Sequence, residues 1–348
     1  MKSLSNPKIF LIRLSSIGDI ILTTALIRMI RNSLPEHELY YITDDKYSSI
    51  LRYNRHLNGI IVYNKSMNVA ETINFGRQLN PEMTENDFVI DLHNNLRTSL
   101  IKFFLKAKKV SVSKNRIFKL ALTTFQKNIS GNHLSIPQLY FDTASKVLKL
   151  NDDGLGLEFW LESDKAAGKY LPHERQQAVS DTPKITIAPG ATYFTKRWLP
   201  ENFLMAAQML NKKFNAEISL VGGDSDIELC QYIEENFKQG AISNHAGKLD
   251  LVQSATIVRE SDLLLTNDTG MMHIAAAMQT PVVAIFGSSV KDLGFVPYRT
   301  PSVVIESELD CRPCSHIGRS SCPKGHFNCM KSILPAHVVT NIAQLLRI

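Results

Sequence analysis

Four short stretches each set glycine, hydroxyl or charged residues directly behind a strand-like apolar run, the place where open α/β sheets bind ligands. The richest is Thr266-Asn267-Asp268-Thr269-Gly270-Met271-Met272-His273, which follows Leu263, Leu264 and Leu265 and precedes a run made small by Ala275, Ala276 and Ala277. Such a strand, polar turn and helix start would aim the amides of Thr269 and Gly270 outward from the positive end of a helix, a natural seat for a diphosphate. His273 falls on the first helical turn and reads either as part of that seat or as a buried structural histidine.

A second stretch, Pro189-Gly190-Ala191-Thr192, has Lys196 and Trp198 downstream. Glycine behind a strand lets backbone amides approach an anion, the hydroxyls of Thr192 and Thr195 add hydrogen bonds, and Lys196 supplies a compact positive charge. The third, Val221-Gly222-Gly223-Asp224, offers carboxylates that could receive ribose hydroxyls, but helix capping is the simpler role for Asp224. The fourth, Ser15-Ser16-Ile17-Gly18-Asp19, places a carboxylate at a helix start. That residue is either a partner of the helix dipole or a general base. A lone Gly18 does not make the three close approaches of G-x-G-x-x-G, and no G-x-x-x-x-G-K-[ST] occurs, so dehydrogenase and P-loop chemistry lose support.

Near the end, Cys311-x2-Cys314-x7-Cys322-x6-Cys329 encloses His316 and His326. Thiolates and imidazoles are zinc ligands. Only the first pair has a familiar finger spacing, so reduced cysteines packing a loop are expected rather than a metal.

The elements that must position these residues follow from patterning. Residues 8–13 read as a buried strand and 19–32 as a helix, with strands at 38–43 and 88–92 and a helix from about Leu96. After a polar stretch over 163–183, alternation resumes: strands at 184–188, 217–221, 262–266 and 281–286, with helices from about Glu201, Ser225 and Gly270 and a last one over 335–346. The chain therefore reads as α/β, two Rossmann-like domains with parallel sheets facing each other across a cleft. The first spans 1–170, the second 171–334, and the terminal segment 335–348 is expected to pack back on the first. A length of 348 residues agrees with two cores, and 44% hydrophobic with 21% charged residues excludes a disordered or fibrous chain. The most apolar stretch after the N-terminus, 20–30, is broken by Thr23, Thr24 and Arg28, and a spanning helix needs roughly 20 mostly apolar residues. The five cysteines are not the dispersed framework of a secreted domain, so a cytoplasmic setting is expected.

The net charge of +6 is concentrated. Residues 92–141 contain no Asp or Glu but hold Arg97, Lys102, Lys106, Lys108, Lys109, Lys114, Arg116, Lys119 and Lys127. Such a one-sign field draws in an anionic partner, whether phosphorylated substrate, acidic lipid surface or nucleic acid. The aromatics there, Phe103, Phe104, Phe118 and Phe125, suit a buried helix face better than a base-stacking platform.

Taken in order, KIFLIRLSSIGDIILTTALI, VIDLHNNLRTSL, APGATYFTKRW, TNDTGMMHIAAAMQTPVVAIFG and CRPC through GHFNCMKSI resemble the family of ADP-heptose:lipopolysaccharide heptosyltransferases over nearly the whole chain. These are inverting glycosyltransferases of the GT-B architecture. The resemblance implies that Asp19 is the general base, that Lys196 neutralises the departing diphosphate beside Gly190 and Thr192, and that Asp268, Thr269, Gly270 and His273 line the donor site. It implies an ADP-sugar donor, which is a substrate and not a cofactor, and no metal. The acceptor would be a phosphorylated lipid A core, with peripheral contact at the cytoplasmic face of the inner membrane and no nucleic acid. The chain departs from the family where His93-Asn94-Asn95 replaces a frequent Gln-Gly and where Leu199 is inserted between Trp198 and Pro200, which bears on the acceptor and the sugar. Two other readings fit less of the sequence: an NDP-sugar epimerase of the same architecture, and a non-catalytic protein binding nucleic acid or another anion.

Overall fold

Runs of β-branched and aromatic residues pair here as parallel strands in two separate sheets, with the central strands Lys8–Ile12, Leu263–Asn267 and Val282–Phe286 the most deeply buried. The computed structural model describes residues 6–113, 120, 122–123, 135–170, 172, 182–238 and 240–348. The described residues divide between two compact units: Met1–Lys114 with Ile136–Tyr170, and Asn115–Ser135 with Leu171–Ile348.

The first unit holds β1 (Lys8–Ile12), β2 (Glu38–Asp44), β3 (Gly59–Tyr63), β4 (Phe88–Asp91) and β5 (Lys108–Ser111) in the order β3-β2-β1-β4-β5. Chain order reverses between β1 and β4, and the register Ile12↔Asp91 sets their carboxyl ends side by side. The helix expected over 19–32 is two helices, α1 (Ile17–Ile21) and α2 (Thr24–Ser33). The break lies at Thr23, whose hydroxyl donates to Ile20 O (2.6 Å) and meets Tyr41 Oη at 2.9 Å in the core. Helices α3 (Val69–Leu79), α4 (Leu96–Phe103), α5 (Ile136–Ala144) and α6 (Glu162–Ala167) complete the unit.

One buried ionic knot fastens residues 153–160 to α2. Arg28 donates to Asp153 through Nε (2.7 Å) and lies 3.1 Å from Glu158 Oε1 through Nη1. Glu158 Oε2 accepts from Trp160 Nε1 (2.8 Å) and stands 3.1 Å from His56 Nε2. Burial opposes the Glu158 charge, but His56, Arg28 and Trp160 together hold its carboxyl below the ordinary range.

The second unit holds β6 (Lys184–Ala188), β7 (Glu217–Leu220), β8 (Ile242–Asn244), β9 (Leu263–Asn267), β10 (Val282–Phe286) and β11 (Ser302–Glu306), ordered β11-β10-β9-β6-β7-β8. This is the doubly wound arrangement of dinucleotide-binding sheets, with its switch point between β6 and β9. The register Ala188↔Thr266 brings the loop after β6 against the loop after β9. Its fully described helices include α7 (Pro200–Phe214), α8 (Ile227–Asn236), α9 (Leu251–Arg259), α10 (Gly270–Met278), α11 (Asn328–Lys331) and α12 (Pro335–Leu346).

Helix α12, expected to return to the first half, instead packs in the second unit against α7 and β11. Its buried Val338, Val339, Ile342 and Leu346 join the core of Ile185, Phe203 and Leu210. Leu122, from the first half of the sequence, likewise packs with Val290, Leu293 and Phe295 in the second unit. No helix among the described residues is long and apolar enough to cross a membrane.

Candidate active site

In the first unit the candidate residues gather at the carboxyl end of β1. Asp19 lies on the first turn of α1, and its Oδ2 accepts from Ser16 N (3.2 Å) and Ser16 Oγ (2.9 Å). Its other oxygen, Oδ1, stands 2.6 Å from Arg13 Nη2, with about 20% of the Asp19 side chain exposed. Arg13 is itself fixed by donating from Nε to Ser15 O (2.8 Å) and from Nη1 to Leu92 O (2.6 Å), bridging the ends of β1 and β4. Burial pushes the Asp19 carboxyl up, but Arg13 and Ser16 more than offset it and hold the group below its ordinary value of 3.8. At neutral pH this is a fixed, ionised carboxylate. A base of low proton affinity takes a proton only once the attacking oxygen has begun to bond and turn acidic. Of the two sequence readings of Asp19, the structure displays the helix-start partner directly: the carboxylate lies on the first turn of α1 and accepts from Ser16. Arg13, which tunes it, was not singled out in the sequence.

Residues 93–95, where the sequence departs from the family pattern, are held at the end of β4. Asp91 Oδ1 accepts from His93 N (3.0 Å) and Asn94 N (2.7 Å), and Asn94 has φ 48°. Asparagine tolerates the left-handed region that a glycine would otherwise supply. Asn95 caps α4 by accepting from Thr98 N (2.9 Å).

The basic stretch is less free than its composition implied. Lys102 is spent on the buried Asp91 (2.6 Å) and Ser111 Oγ (2.5 Å), whereas Lys106, Lys108 and Lys109 are exposed. Lys114, Arg116, Lys119 and Lys127, with Phe118 and Phe125, lie outside the described residues. Phe103, expected on a buried face, is 76% exposed.

In the second unit two loops meet at the switch point. Lys196 Nζ, on a 3₁₀ turn after β6, stands 2.6 Å from Asp268 Oδ2, and Ser289 Oγ donates to that same oxygen at 2.5 Å. Asn267 is fully buried and joins the loops: its Nδ2 donates to Pro189 O (2.7 Å) and its Oδ1 accepts from Trp198 N (3.0 Å). Trp198 is anchored in turn through Nε1 to Ile333 O (3.1 Å) and packs edge-on against Phe203. The inserted Leu199 is absorbed as the N-cap of α7, ahead of Pro200.

Thr269 is the N-cap of α10 and Gly270 its first residue, so their amides lie at the positive helix end, as the spacing predicts. Gly190 sits under the Asp226 carboxylate; a Cβ there would meet Asp226 Oδ1 at 2.2 Å. Thr192 is exposed beside it, and His273 is buried within α10 at 3% exposure. The bracing role expected of Asp224 belongs to Asp226, whose Oδ2 accepts from Gly223 N (3.1 Å). Lys196, Asp268, Thr269 and Gly190 thus converge, while nothing in the sequence signalled Ser289 or its support.

All five cysteines are free thiols, and Cys311 Sγ lies 3.8 Å from His326 Nε2. Among the described residues no three His, Cys, Asp or Glu side chains are grouped to hold a metal ion.

The family model for glycosyltransferase family 9 (heptosyltransferase) matches residues 74–324, well over half of the chain. The chain is 25% identical to a lipooligosaccharide heptosyltransferase 2 from Campylobacter jejuni over 98% of both sequences. Its fold is similar to a glycosyl transferase family 9 structure from Veillonella parvula, with TM-score 0.76, 22% identity and coverage of 99% and 98% of the two chains. It is also similar to the Escherichia coli ADP-heptose lps heptosyltransferase II structure, with TM-score 0.69, 20% identity and 98% of each chain covered. The α/β architecture is that of the GT-B heptosyltransferases, and the epimerase and non-catalytic readings give way. With paired Rossmann-like sheets, a charged carboxylate behind β1 and a lysine–aspartate pair at the helix end behind β9, the chain belongs to glycosyltransferase family 9, the heptosyltransferases.

Proposed function

We propose that this enzyme transfers a heptose from ADP-heptose to the inner core of lipopolysaccharide, with inversion at the anomeric carbon. The observation that carries this reading furthest is the Lys196–Asp268 pair, 2.6 Å apart, at the mouth of the β6 and β9 loops in a family 9 chain. The relative from Escherichia coli is named for ADP-heptose and lipopolysaccharide.

Asp19 accepts the proton of an acceptor hydroxyl as its oxygen attacks the anomeric carbon and ADP departs. Lys196 and the amides at the start of α10 meet the charge that grows on the diphosphate, the type of contribution that is usually largest in such a site. Asp268 holds Lys196 in place, and Gly190 and Thr192 border the phosphates. His273, being buried, supports the α10 helix behind the donor. The ADP-sugar is a substrate, consumed each turnover, and the chemistry calls on no metal or other cofactor.

The exposed Lys106, Lys108 and Lys109 suit a phosphorylated acceptor at the anionic cytoplasmic face of a membrane, with no role for nucleic acid. The test is ADP release with ADP-heptose and a heptose-free phosphorylated lipid A core, run beside UDP- and GDP-sugars. Acceptor-dependent ADP release with the ADP-sugar supports the reading. Sugar release without acceptor, or a preference for UDP- or GDP-sugars, overturns it.

A further inference from the structure

The Lys196–Asp268 pair is supported from behind by a side chain in the cysteine-rich loop. Arg312 is 8% exposed and turns Nε and Nη2 on one turn: Nε donates to Gly287 O (2.5 Å), and Nη2 donates to Ser289 O (2.7 Å) and Phe286 O (3.1 Å). Nη1 donates to Ser307 O, and Glu306 Oε2 balances the charge at 3.1 Å.

The turn that Arg312 grips, residues 287–289, touches both members of the pair. Ser289 Oγ donates to Asp268 Oδ2 (2.5 Å). On the other side, Ser288 N donates to Thr195 O (3.1 Å) and Ser288 Oγ accepts from Thr195 Oγ1 (2.9 Å), one residue before Lys196. The approach is close enough that a Cβ on Gly287 would meet Thr195 O at 2.5 Å. The same loop reaches Thr195 a second time, where Thr195 N donates to Arg319 O (3.1 Å) and Arg319 N donates to Thr195 Oγ1 (2.8 Å).

We propose that Arg312 is a positioning residue for transfer: by clamping the 287–289 turn it sets Ser289 against Asp268 and Thr195 against Ser288, and so fixes where the Lys196 ammonium meets the donor diphosphate. A planar guanidinium with five donors can hold several carbonyls at fixed angles, which a lysine ammonium cannot. The inference rests on the role given to Lys196 under the proposed function.

The test is a set of double-mutant cycles read as kcat and KM for the ADP-sugar, with thermal midpoints recorded alongside. Arg312→Lys and Ser289→Ala are each made alone and with Lys196→Ala. Arg312→Lys is expected to lower kcat on the order of 10–100-fold, the scale of an ångström-sized misplacement, with a smaller change in KM. Ser289→Ala should lower it in the same direction. Both losses should shrink to within about twofold once Lys196 is alanine, because residues acting through one group are not additive. Losses that multiply with that of Lys196→Ala mark Arg312 as merely structural and overturn the proposal. So does an unchanged kcat in Ser289→Ala, which also decides the matter if Arg312→Lys fails to fold. Unchanged transfer in Lys196→Ala alone would instead bring down the functional reading first, and this inference with it.

Discussion

Arg13 Nη2 and Asp19 Oδ1 stand 2.6 Å apart across the turn that joins β1 to α1. The arginine arrives at the end of a strand and the aspartate on the first turn of a helix, so neither can move without disturbing an element end. The pair joins a fixed geometry to a fixed charge state.

Asp19→Asn keeps the shape and part of the hydrogen bonding to Ser16 but removes the proton acceptor. Turnover should fall on the order of 10²–10⁴-fold, the usual worth of a general base. Affinity for the ADP-sugar, measured by calorimetry, should stay within a few-fold of the native value. Transfer surviving within a few-fold would show that another group takes the proton.

The pH dependence has a defined sign. The folded Asp19 carboxyl lies below 3.8, so its contribution to stability is complete above 3.8 and is lost as pH falls through the lower folded value. Transfer should likewise hold its rate down through the ordinary carboxylate range. Arg13→Met removes the neighbouring charge, so the acid limb of kcat/KM should move to higher pH. An acid limb that stays in place would detach Arg13 from the tuning of Asp19.

Lys196→Ala should weaken ADP binding and slow transfer together, because the ammonium serves the diphosphate in the bound state and as it leaves. Unaltered ADP affinity in a thermal-shift titration would argue against this role, since ligand binding raises apparent stability by mass action. Gly190→Ala should act in the same direction, as the added methyl displaces Asp226 from beside the phosphate loop.

Glu158 gathers Arg28, His56 and Trp160 within 3.1 Å in the first unit. Glu158→Ala leaves the buried Arg28 with Asp153 as its remaining carboxylate and should lower stability by about 3–5 kcal/mol. Urea unfolding measures this, and a loss under 1 kcal/mol would show that Asp153 alone balances Arg28.

The cysteines should separate by reactivity. Burial pushes the Cys230 thiol up to about 12 and the Cys329 thiol up to about 11. Burial acts on Cys322 in the same direction, but the backbone amides of Phe327, Lys324, Gly325 and His326 together bring it below its ordinary value. Only the thiolate alkylates, so Cys322 should react with iodoacetamide ahead of Cys230 and Cys329 in a peptide-mapped time course. Faster labelling of Cys230 would contradict the burial seen here.

Much of the architecture was legible from local pattern. The strands at 184–188 and 38–44 and the helix at 335–346 stand where apolar runs and proline placed them, because burial on both faces leaves a sequence record. Strands β3, β5, β8 and β11 fall outside the patterned runs, and all four are sheet edges, each with a single strand neighbour.

Asp19, Gly190, Lys196, Asp268 and Thr269 are legible from local pattern, as polar punctuation after apolar runs. What holds them in place is not, and comes from contacts between distant segments. Arg13 reaches Asp19 from one strand end, and Arg312, 44 residues beyond Asp268 in the chain, steadies it through Ser289. The physical reason is that a strand–turn–helix pattern is written within a few residues, whereas an ion pair or a carbonyl clamp is written by whichever loops the parallel crossovers bring together.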